Sequence, residues 1–460
     1  MLSQDIAKEF ESIVGASNCS MDDAILYVYS FDISDVTGRP DIVVRPSSTE
    51  EIARIVTTCA REKIPVIPRG AGTGATGGAV ATSGGVVIEM TRMNKIIDLD
   101  LSNLQVTLQP GVVIDRLNQF LKPHKFFYPV IPGSDAMATI GGVVSNDASG
   151  MRAFKYGTAK DYMLGATVVM PDGSIVPIGC KALKNVAGLD LLRLFAGSEG
   201  TLGIITELRV KILPLPITKG VLTVYFDDLE TAGTAVIRTY QAGIIPSAIE
   251  IMDKSALRVV QIYRPQAGVQ VAEAMLLFEF EGNKEYVEFQ ASKVGEVLDA
   301  LGITERQFSS DPKEAERLWS ARSTVGAATS VLKEGYNRVY EGEDICVPLT
   351  ELPRTLLKVH ELQEQHGLDC VIYGHISIGA IHPAITIRKS DKDDWVAMKA
   401  LADDIHKWAI HVGGTVTGEH GIGVARKEYI AQMYPEAYEI MKKIKHALDP
   451  DNIMNPGKMF

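Results

Sequence analysis

The stretch Arg69-Gly-Ala-Gly-Thr-Gly-Ala-Thr-Gly-Gly78, directly after the apolar run Pro65-Val-Ile-Pro68, decides the fold. Its five glycines, at positions 70, 72, 74, 77 and 78, allow positive φ angles and leave backbone N–H groups unshielded. Such groups can cradle a pyrophosphate. The stretch departs from a Rossmann fingerprint, because no helix clearly begins at the third glycine and no acidic ribose ligand stands out after the next strand. It therefore predicts a dinucleotide loop of a non-Rossmann type.

Two further blocks of small residues follow along the chain. The second block is Gly133-Ser-Asp-Ala-Met-Ala-Thr-Ile-Gly-Gly142 with Ser145-Asn-Asp-Ala-Ser-Gly150, and the third is Gly197-Ser-Glu-Gly-Thr-Leu-Gly-Ile-Ile-Thr206. Small side chains over such lengths permit close approach of a large planar or phosphorylated ligand. Each block alone is equally compatible with an ordinary glycine-rich loop.

Composition narrows the class of protein. A chain of 460 residues is too long for one ordinary core, and its net charge of −11 argues against a nucleic-acid partner. The five scattered cysteines form no C-x-x-C pair and are expected to be buried free thiols. Neither a signal peptide nor an apolar stretch of roughly 18–20 residues is apparent. We expect a cytoplasmic protein, with peripheral attachment to a membrane left open.

Local sequence patterns divide the chain into two parts, with a boundary at Pro214-Leu-Pro216. The first 34 residues are amphipathic and predict helix, and Ser48 with Glu51 predicts a capping box for a helix through Ala60. From residue 42 to 212, short strands alternate with helices and glycine-rich turns, which indicates an α+β or α/β domain. After Pro214-Leu-Pro216 the β-α-β and β-α order predicts a ferredoxin-like antiparallel sheet. In that part Asp227 with Glu230 is expected to cap a helix through Tyr240.

Histidines cluster late in the chain. Tyr373-Gly-His-Ile-Ser-Ile-Gly-Ala-Ile-His382 places His375 and His382 seven residues apart, so on one straight strand they would face opposite sides. A bulge or turn at Gly379 would bring the two imidazoles together. A single histidine is more often structural, but the pair gains weight from Thr417-Gly-Glu-His-Gly-Ile-Gly423, where a carboxylate and an imidazole are adjacent between glycines.

The three glycine-rich blocks together resemble the FAD domain of the vanillyl-alcohol oxidase / p-cresol methylhydroxylase superfamily. The nearest branch contains D-lactate dehydrogenases, the catalytic glycolate oxidase subunit and D-2-hydroxyglutarate dehydrogenase. Gly-Ser-Glu-Gly-Thr-Leu-Gly is specific to that group, and the resemblance runs from about Ile42 to Phe460. It implies an α+β fold with a two-part PCMH-type FAD-binding domain over residues 1–217 (core about 38–217). A ferredoxin-like cap or substrate domain would follow over residues 218–415. A C-terminal segment over residues 416–460 would return to the FAD site.

The resemblance also implies which residues contact FAD. Members with covalent flavin carry a histidine where this chain has Thr73, so noncovalent FAD is expected. The chain end Asn455-Pro-Gly-Lys458 matches a tail that returns to the isoalloxazine. The implied FAD contacts are Arg69, Gly70, Ala71, Gly72, Thr73, Gly74, Gly77, Gly78, Pro132, Gly133, Ser134, Thr139, Gly141, Gly142, Ser145, Asn146, Ser149, Gly150, Glu199, Gly200, Gly203, Ile204, Ile205 and Asn455.

The same resemblance implies a reaction site. His375, His382 and Glu419 match ligands of a divalent metal, and such ligands suit zinc, manganese or iron. His420 matches the proposed general base, and Arg322 matches the arginine that binds the substrate carboxylate, with a surface salt bridge as the alternative interpretation of Arg322. The implied reaction is metal-assisted removal of the hydroxyl proton and hydride transfer from a D-2-hydroxy acid to flavin N5.

One segment departs from the family pattern. Ile378 and Ala380 replace an aspartate and an asparagine, and Ser377 replaces a glycine. Ala384 offers no amide where the hydroxyglutarate enzymes have one. A small monocarboxylate such as lactate or glycolate is therefore the expected substrate.

Two other functions stay open from the sequence. One is a non-redox flavoenzyme of the alkylglycerone-phosphate synthase type, and the other is an FAD-binding accessory subunit of a multi-protein oxidase. For the dehydrogenase, the expected electron acceptor is an iron–sulfur subunit, an electron-transfer flavoprotein or a quinone. A homodimer or a hetero-complex is expected.

Overall fold

The chain forms two compact units in a computed structural model, which describes residues 2–460. Unit 1 contains the chain up to Ser149 together with Thr158–Leu215 and Glu419–Phe460, and unit 2 contains Gly150–Gly157 and Pro216–Gly418. Helices and largely antiparallel sheets occur in both units, which confirms the predicted α+β class. The domain boundaries at 217 and 415 remain a prediction.

The described residues contain fifteen α-helices. In chain order they are α1 (Gln4–Val14), α2 (Asp23–Val28), α3 (Thr49–Glu62), α4 (Ile114–Leu121), α5 (Ile140–Ser145), α6 (Ala153–Tyr156), α7 (Leu191–Phe195), α8 (Leu229–Gln241), α9 (Lys254–Tyr263), α10 (Lys284–Ala300), α11 (Pro312–Ala328), α12 (Leu352–His366), α13 (Lys392–His411), α14 (Lys427–Met433) and α15 (Pro435–Leu448). Among the described residues, no helix is both long enough and apolar enough to cross a bilayer.

The described residues of unit 1 form three sheets. The first has the order β1-β2-β4-β3, with a parallel core formed by β2 (Ile42–Val44), β3 (Val66–Arg69) and β4 (Val86–Glu89) and an antiparallel edge at β1 (Cys19–Ser20). The antiparallel second and third sheets have the orders β5-β6-β10-β8-β9 and β11-β7. Their strands are β5 (Ile96–Asp100), β6 (Gln105–Leu108), β7 (Phe126–Phe127), β8 (Met163–Val169), β9 (Ile175–Gly179), β10 (Ile204–Lys211) and β11 (Leu213–Pro214).

Two predictions for the N-terminal part need correction. The first 34 residues are not one helix, because α1 ends at Gly15, whose φ of 85° is unfavourable for a helix, and α2 starts only at Asp23. Ser48 does cap α3, and its side chain accepts the Glu51 N–H. The Glu51 carboxylate, however, accepts the N–H of Ser47 rather than that of Ser48, so the reciprocal bond of the capping box is displaced by one residue.

Unit 2 is built on one antiparallel sheet. Its order is β15-β12-β14-β13-β18-β19-β16, and β17 also pairs with β19. Apolar residues form most of the long central strands, as expected for strands that contribute to a buried core. The strands are β12 (Thr218–Phe226), β13 (Ala248–Asp253), β14 (Ala274–Gly282), β15 (Arg306–Ser309), β16 (Asn337–Arg338), β17 (Ile345–Cys346), β18 (Asp369–Gly374) and β19 (Ala380–Ile387).

Helices α8, α10, α12 and α13 contribute to the larger apolar cluster of unit 2, and α9 and α11 contribute to a second cluster. The cap of α8 is Asp228, whose carboxylate accepts the Thr231 N–H, so the prediction of Asp227 as the cap was wrong. Either aspartate is chemically suitable, and the strand end at Phe226 places Asp228 in the extended conformation that a cap needs.

The short segment Gly150–Gly157 belongs to unit 2 because ion pairs hold it there. Arg152 binds Glu279 on β14 with contacts of 2.6 and 2.7 Å, and Tyr156 donates to Glu281 at 2.6 Å. Both glutamates are buried. Although burial raises the pKa of a carboxylic acid, the charge and hydrogen bonds of Arg152 lower the pKa of Glu279 to about 2.

Candidate active site

The three glycine-rich blocks converge within unit 1. Gly70 lies so close to Thr139 of the second block that a Cβ at Gly70 would be 2.3 Å from the Thr139 Oγ1. Gly200 of the third block lies against Pro68, where a Cβ would meet the proline ring at 2.5 Å. The Asn455 side-chain amide donates to the backbone oxygens of Gly78 and Glu199 at 2.9 and 2.7 Å. The chain end thus fastens the first block to the third, and of the predicted FAD contacts only Gly150 lies in unit 2.

Glu199 hydrogen-bonds to the second glycine-rich block and to the segment that follows His420. It adopts a positive φ of 51°, its N–H donates to the Ser145 carbonyl, and its carboxylate accepts the N–H groups of Ile422 and Gly423 at 2.7 Å each. Burial raises the pKa of Glu199 despite these two hydrogen bonds, which lower it. The carboxylate therefore acts as a clamp between the third block and the Gly-Glu-His-Gly segment, and the predicted contact of Glu199 with FAD remains a prediction.

The surroundings of the loops fit an anionic dinucleotide such as FAD. A Cβ at Gly74 or Gly133 would meet no protein atom within 4 Å, so space is open beside both loops. Two buried cations, Arg69 and Lys458, also lie in this unit. Burial lowers the pKa of both, because the nearby carboxylates only partly compensate for lost hydration. An added phosphate charge would complete that compensation.

Lys458 gives a pH-dependent prediction. Burial lowers its pKa to about 8, and its ammonium group donates to the Thr82 hydroxyl at 3.1 Å. Between pH 8 and 10.5 the unfolded chain keeps this proton while the folded chain loses it, so the free energy of unfolding should rise with pH in that window. Without FAD, the wild-type value minus that of Lys458→Met should rise by up to about 3 kcal/mol.

This prediction is checked by urea unfolding of both proteins at pH 7.5 and pH 10. Lys443→Met, at an exposed position on α15, is the matched control and should show no such difference. A pH-independent difference for Lys458→Met would contradict the assignment.

In unit 2, a turn brings the two predicted histidines together. After His375 the chain makes a 3₁₀ turn over Ile376–Ile378 and passes through Gly379 at φ 77° before β19 begins. The His375 and His382 ring centroids lie 5.0 Å apart, with planes at 83°. Both residues are buried, and the predicted role of Gly379 as the turning residue is confirmed. Two buried imidazoles at this spacing fit a nitrogen-ligated divalent metal.

Gly379→Ala should disrupt this turn. A Cβ there would lie 2.1 Å from the Val347 carbonyl oxygen, in addition to the cost of a positive φ for alanine. We expect a loss of about 3 kcal/mol in the free energy of unfolding. Gly413→Ala is the matched control, because Gly413 has the same φ of 77° with no atom within 4 Å of a Cβ, and it should lose only about 1 kcal/mol. Equal losses in denaturant unfolding would show that the contact with Val347 is unimportant.

Arg322 lies beside these histidines and not on the surface. It is 6% exposed, its Nε is 2.6 Å from a carboxylate oxygen of Glu250, and its guanidinium carbon lies 4.7 Å from the centre of the Tyr373 ring. Its Nη2 is 3.5 Å from the His375 Nδ1. Burial raises the pKa of Tyr373 to about 12, so this ring is neutral. A guanidinium held in this way can bind a carboxylate through its terminal nitrogens.

Two carboxylates of this group were missed in the sequence. Glu250 lies in the centre of β13, and Asp344 has one carboxylate oxygen 4.0 Å from the His382 Nδ1 and another that accepts the Thr417 hydroxyl. Asp344 has a φ of 69°, which is uncommon for a residue other than glycine. Both residues could have been found from the sequence, because each is an acidic residue within or beside an apolar strand pattern. A carboxylate buried there requires a partner, which makes it a candidate for a polar site.

Glu419 and His420 follow Gly418, the last residue of unit 2, and belong to unit 1. The Gly418 N–H donates to the Asp344 carbonyl in unit 2. In unit 1 the His420 carbonyl accepts from the Thr76 hydroxyl and the Asn146 amide, at 3.4 and 3.5 Å. The main chain at His420 is thus fixed by two of the glycine-rich blocks. The predicted roles of Glu419 and His420 stay predictions.

Two protein-family models match consecutive parts of this chain. An FAD binding domain matches residues 40–179, and the C-terminal domain of FAD linked oxidases matches residues 215–459. The chain is 35% identical to the glycolate oxidase subunit GlcD of Bacillus subtilis, over 100% of this chain and 97% of that protein. It is also 35% identical to a D-lactate dehydrogenase of Anaerostipes hadrus, over 92% of this chain and 90% of the relative.

The fold is shared more widely. The structure of p-cresol methylhydroxylase with substrate bound matches 100% of this chain and 97% of its own length, with a TM-score of 0.78 at 17% identity. This likeness establishes the PCMH-type fold. The matched domains, together with relatives aligned over nearly their whole length, show that the chain is an FAD-binding oxidoreductase and belongs to the family of FAD-linked oxidases.

Proposed function

We propose that this protein oxidises a D-2-hydroxy acid to the 2-keto acid and that its substrate is a small monocarboxylate, such as lactate or glycolate. The observation that carries the proposal is the buried Arg322 beside the paired imidazoles of His375 and His382. An anion-binding guanidinium next to two metal-binding side chains matches the two functional groups of a 2-hydroxy acid. The names of the relatives, glycolate oxidase subunit and D-lactate dehydrogenase, support the same substrate class.

The reaction assigns a separate task to each residue. Oxidation removes the hydroxyl proton and a hydride from the α-carbon, and a 2-keto acid remains. When bound, FAD supplies the hydride acceptor and a divalent metal supplies the Lewis acid that makes the hydroxyl more acidic. His375, His382 and Glu419 would hold the metal. Arg322 would orient the carboxylate, and His420 would take the hydroxyl proton, a role in which histidine is common.

Further details are part of the proposal. Thr73, where covalent flavoproteins of the superfamily carry histidine, supports noncovalent FAD. Ala384 packs in a buried apolar cluster with Val371 and Tyr373, so it offers no polar group to a second substrate carboxylate. We propose that the electrons pass to an iron–sulfur subunit, an electron-transfer flavoprotein or a quinone, and the subunit names of relatives support a hetero-complex.

The test is anaerobic reduction of the bound flavin. The purified protein is mixed with D-lactate, L-lactate, glycolate or D-2-hydroxyglutarate, and the absorbance of oxidised flavin is followed, with turnover measured by a dye acceptor. D-lactate or glycolate should bleach the flavin. No bleaching by any hydroxy acid would overturn the proposed reaction, and bleaching by D-2-hydroxyglutarate alone would overturn the assignment of a monocarboxylate.

A further inference from the structure

Glu250 carries a buried carboxylate that contacts two side chains from distant parts of the chain. It lies on β13 between β14 and β18, with Ile249 and Ile251 on either side, and its side chain is 0% exposed. A buried charge is costly unless it is paired and hydrogen-bonded. Two groups compensate it here: Arg322 through Nε at 2.6 Å, and His375 through Nδ1, which lies 2.9 Å from both carboxylate oxygens.

The contact with His375 selects one of its two ring nitrogens. An ionised carboxylate only accepts hydrogen bonds, so the Nδ1 that faces Glu250 must carry the proton. The lone pair of a neutral His375 is then on Nε2, and Nε2 is the nitrogen that would ligate a metal. Histidine ligands commonly donate their other N–H to a carboxylate in this way, which fixes the ring orientation and raises the basicity of the ligand.

The contact with Arg322 orients the second functional group. Glu250 lies at the Nε edge of the guanidinium, and the Tyr373 ring covers one face at 4.7 Å. The Nη2 atom is 3.5 Å from the same His375 Nδ1. Glu250 and Tyr373 thus hold the guanidinium in one orientation, in which its two terminal nitrogens form the edge that would bind a substrate carboxylate and Nη2 on that edge lies beside His375.

We propose that Glu250 is a positioning residue. It would orient His375 so that Nε2 ligates the metal, and it would hold Arg322 at a fixed position relative to His375. One carboxylate would thereby fix the distance between the metal, which binds the substrate hydroxyl, and the guanidinium, which binds the substrate carboxylate. This inference rests on the proposed function. It adds a residue to which neither the sequence motifs nor the names of relatives assign a role.

The test measures zinc affinity by chelator competition on flavin-loaded protein, so its main readout is independent of turnover. Glu250→Gln should weaken zinc binding about tenfold or more, because a neutral amide is a weaker acceptor for the His375 N–H. Glu250→Asp keeps the charge but shortens the side chain, and it should fall between Glu250→Gln and wild type. Glu250→Gln should also raise KM for the hydroxy acid, since Arg322 loses its anchoring charge.

Glu279→Gln is the matched control. Glu279 is likewise buried and pairs with an arginine, Arg152, through two contacts, but it contacts no histidine in the described hydrogen bonds and ion pairs. Its replacement should leave zinc affinity unchanged. Zinc binding by both glutamine variants within twofold of wild type, or an equal loss in both, would overturn the positioning role.

His382→Ala separates this inference from the proposed function. Loss of zinc in His382→Ala with full retention in Glu250→Gln and Glu250→Asp would overturn only the role of Glu250. Retention of zinc in His382→Ala would overturn the metal site and the role of Glu250 together. If Glu250→Gln does not fold, the comparison of Glu250→Asp with wild type decides the question.

Discussion

Replacing His420 by alanine is expected to lower kcat by about 10²–10⁴-fold while FAD stays bound. The imidazole is the proposed acceptor of the substrate hydroxyl proton. The contacts that fix this segment in unit 1 use the main chain, since the His420 carbonyl accepts from Thr76 and Asn146. Truncating the side chain leaves those contacts in place. The measurement is steady-state turnover with a dye acceptor, together with the flavin absorbance of the purified variant.

His420→Gln is the conservative comparison. Glutamine retains polarity and much of the volume but cannot accept a proton near neutral pH, so it should be as slow as the alanine variant. Turnover at the wild-type rate in either variant, with normal FAD content, would remove His420 from the reaction.

Replacing Arg322 by methionine is expected to lower kcat/KM by about 10- to 150-fold, mostly through KM. A charge-assisted, bidentate contact with the substrate carboxylate would be lost, and such contacts contribute about 1.5–3 kcal/mol. The variant should also unfold at lower denaturant concentration, because Glu250 would keep a buried charge without its arginine. Arg322→Lys should recover only part of the loss, since an ammonium group lacks the planar fork.

Arg338→Lys tests whether any nearby buried arginine would give the same result. The Arg338 guanidinium carbon lies 5.6 Å from the Tyr373 ring, but its nitrogens make two contacts of 2.8 Å with Glu343. Glu343 engages both the Nε and the Nη2 of Arg338, whereas the Glu250 contact of Arg322 is made through Nε, so Arg338 is the poorer substrate anchor and KM should stay near the wild-type value. A large rise in KM for Arg338→Lys with none for Arg322→Met would transfer the substrate carboxylate to Arg338.

Local sequence predicted the secondary structure well where a residue acts on its near neighbours. Ser48 caps α3, and Gly379 turns the chain between two histidines, because each effect depends on residues within a few positions. The errors are also local. Asp227 and Asp228 are chemically equivalent as caps, and only the end of β12 decides between them. In the predicted capping box, the Glu51 carboxylate accepts the N–H of Ser47 rather than that of Ser48.

The functional partners of Glu250 could not be predicted in the same way. Arg322 and His375 lie 72 and 125 residues further along the chain. β13 is buried along its whole length, so its local sequence does not indicate which groups Glu250 contacts. Asp344 was missed for a similar reason, since its position near His382 depends on a positive φ and on the pairing of β17 with β19.

From its residues alone, the sequence predicted a non-Rossmann dinucleotide loop, and its resemblance to a known superfamily implied an FAD-linked oxidoreductase. The glycine-rich loops, the Gly-Ser-Glu-Gly-Thr-Leu-Gly block and the paired histidines carry that resemblance, and each is a short segment that can be read without the tertiary structure. Tertiary structure alone decided that Glu199 clamps loops together and that Glu250 joins Arg322 to His375. The physical reason is that a buried charge is stable only beside its partners, and folding brings those partners together from distant parts of the chain.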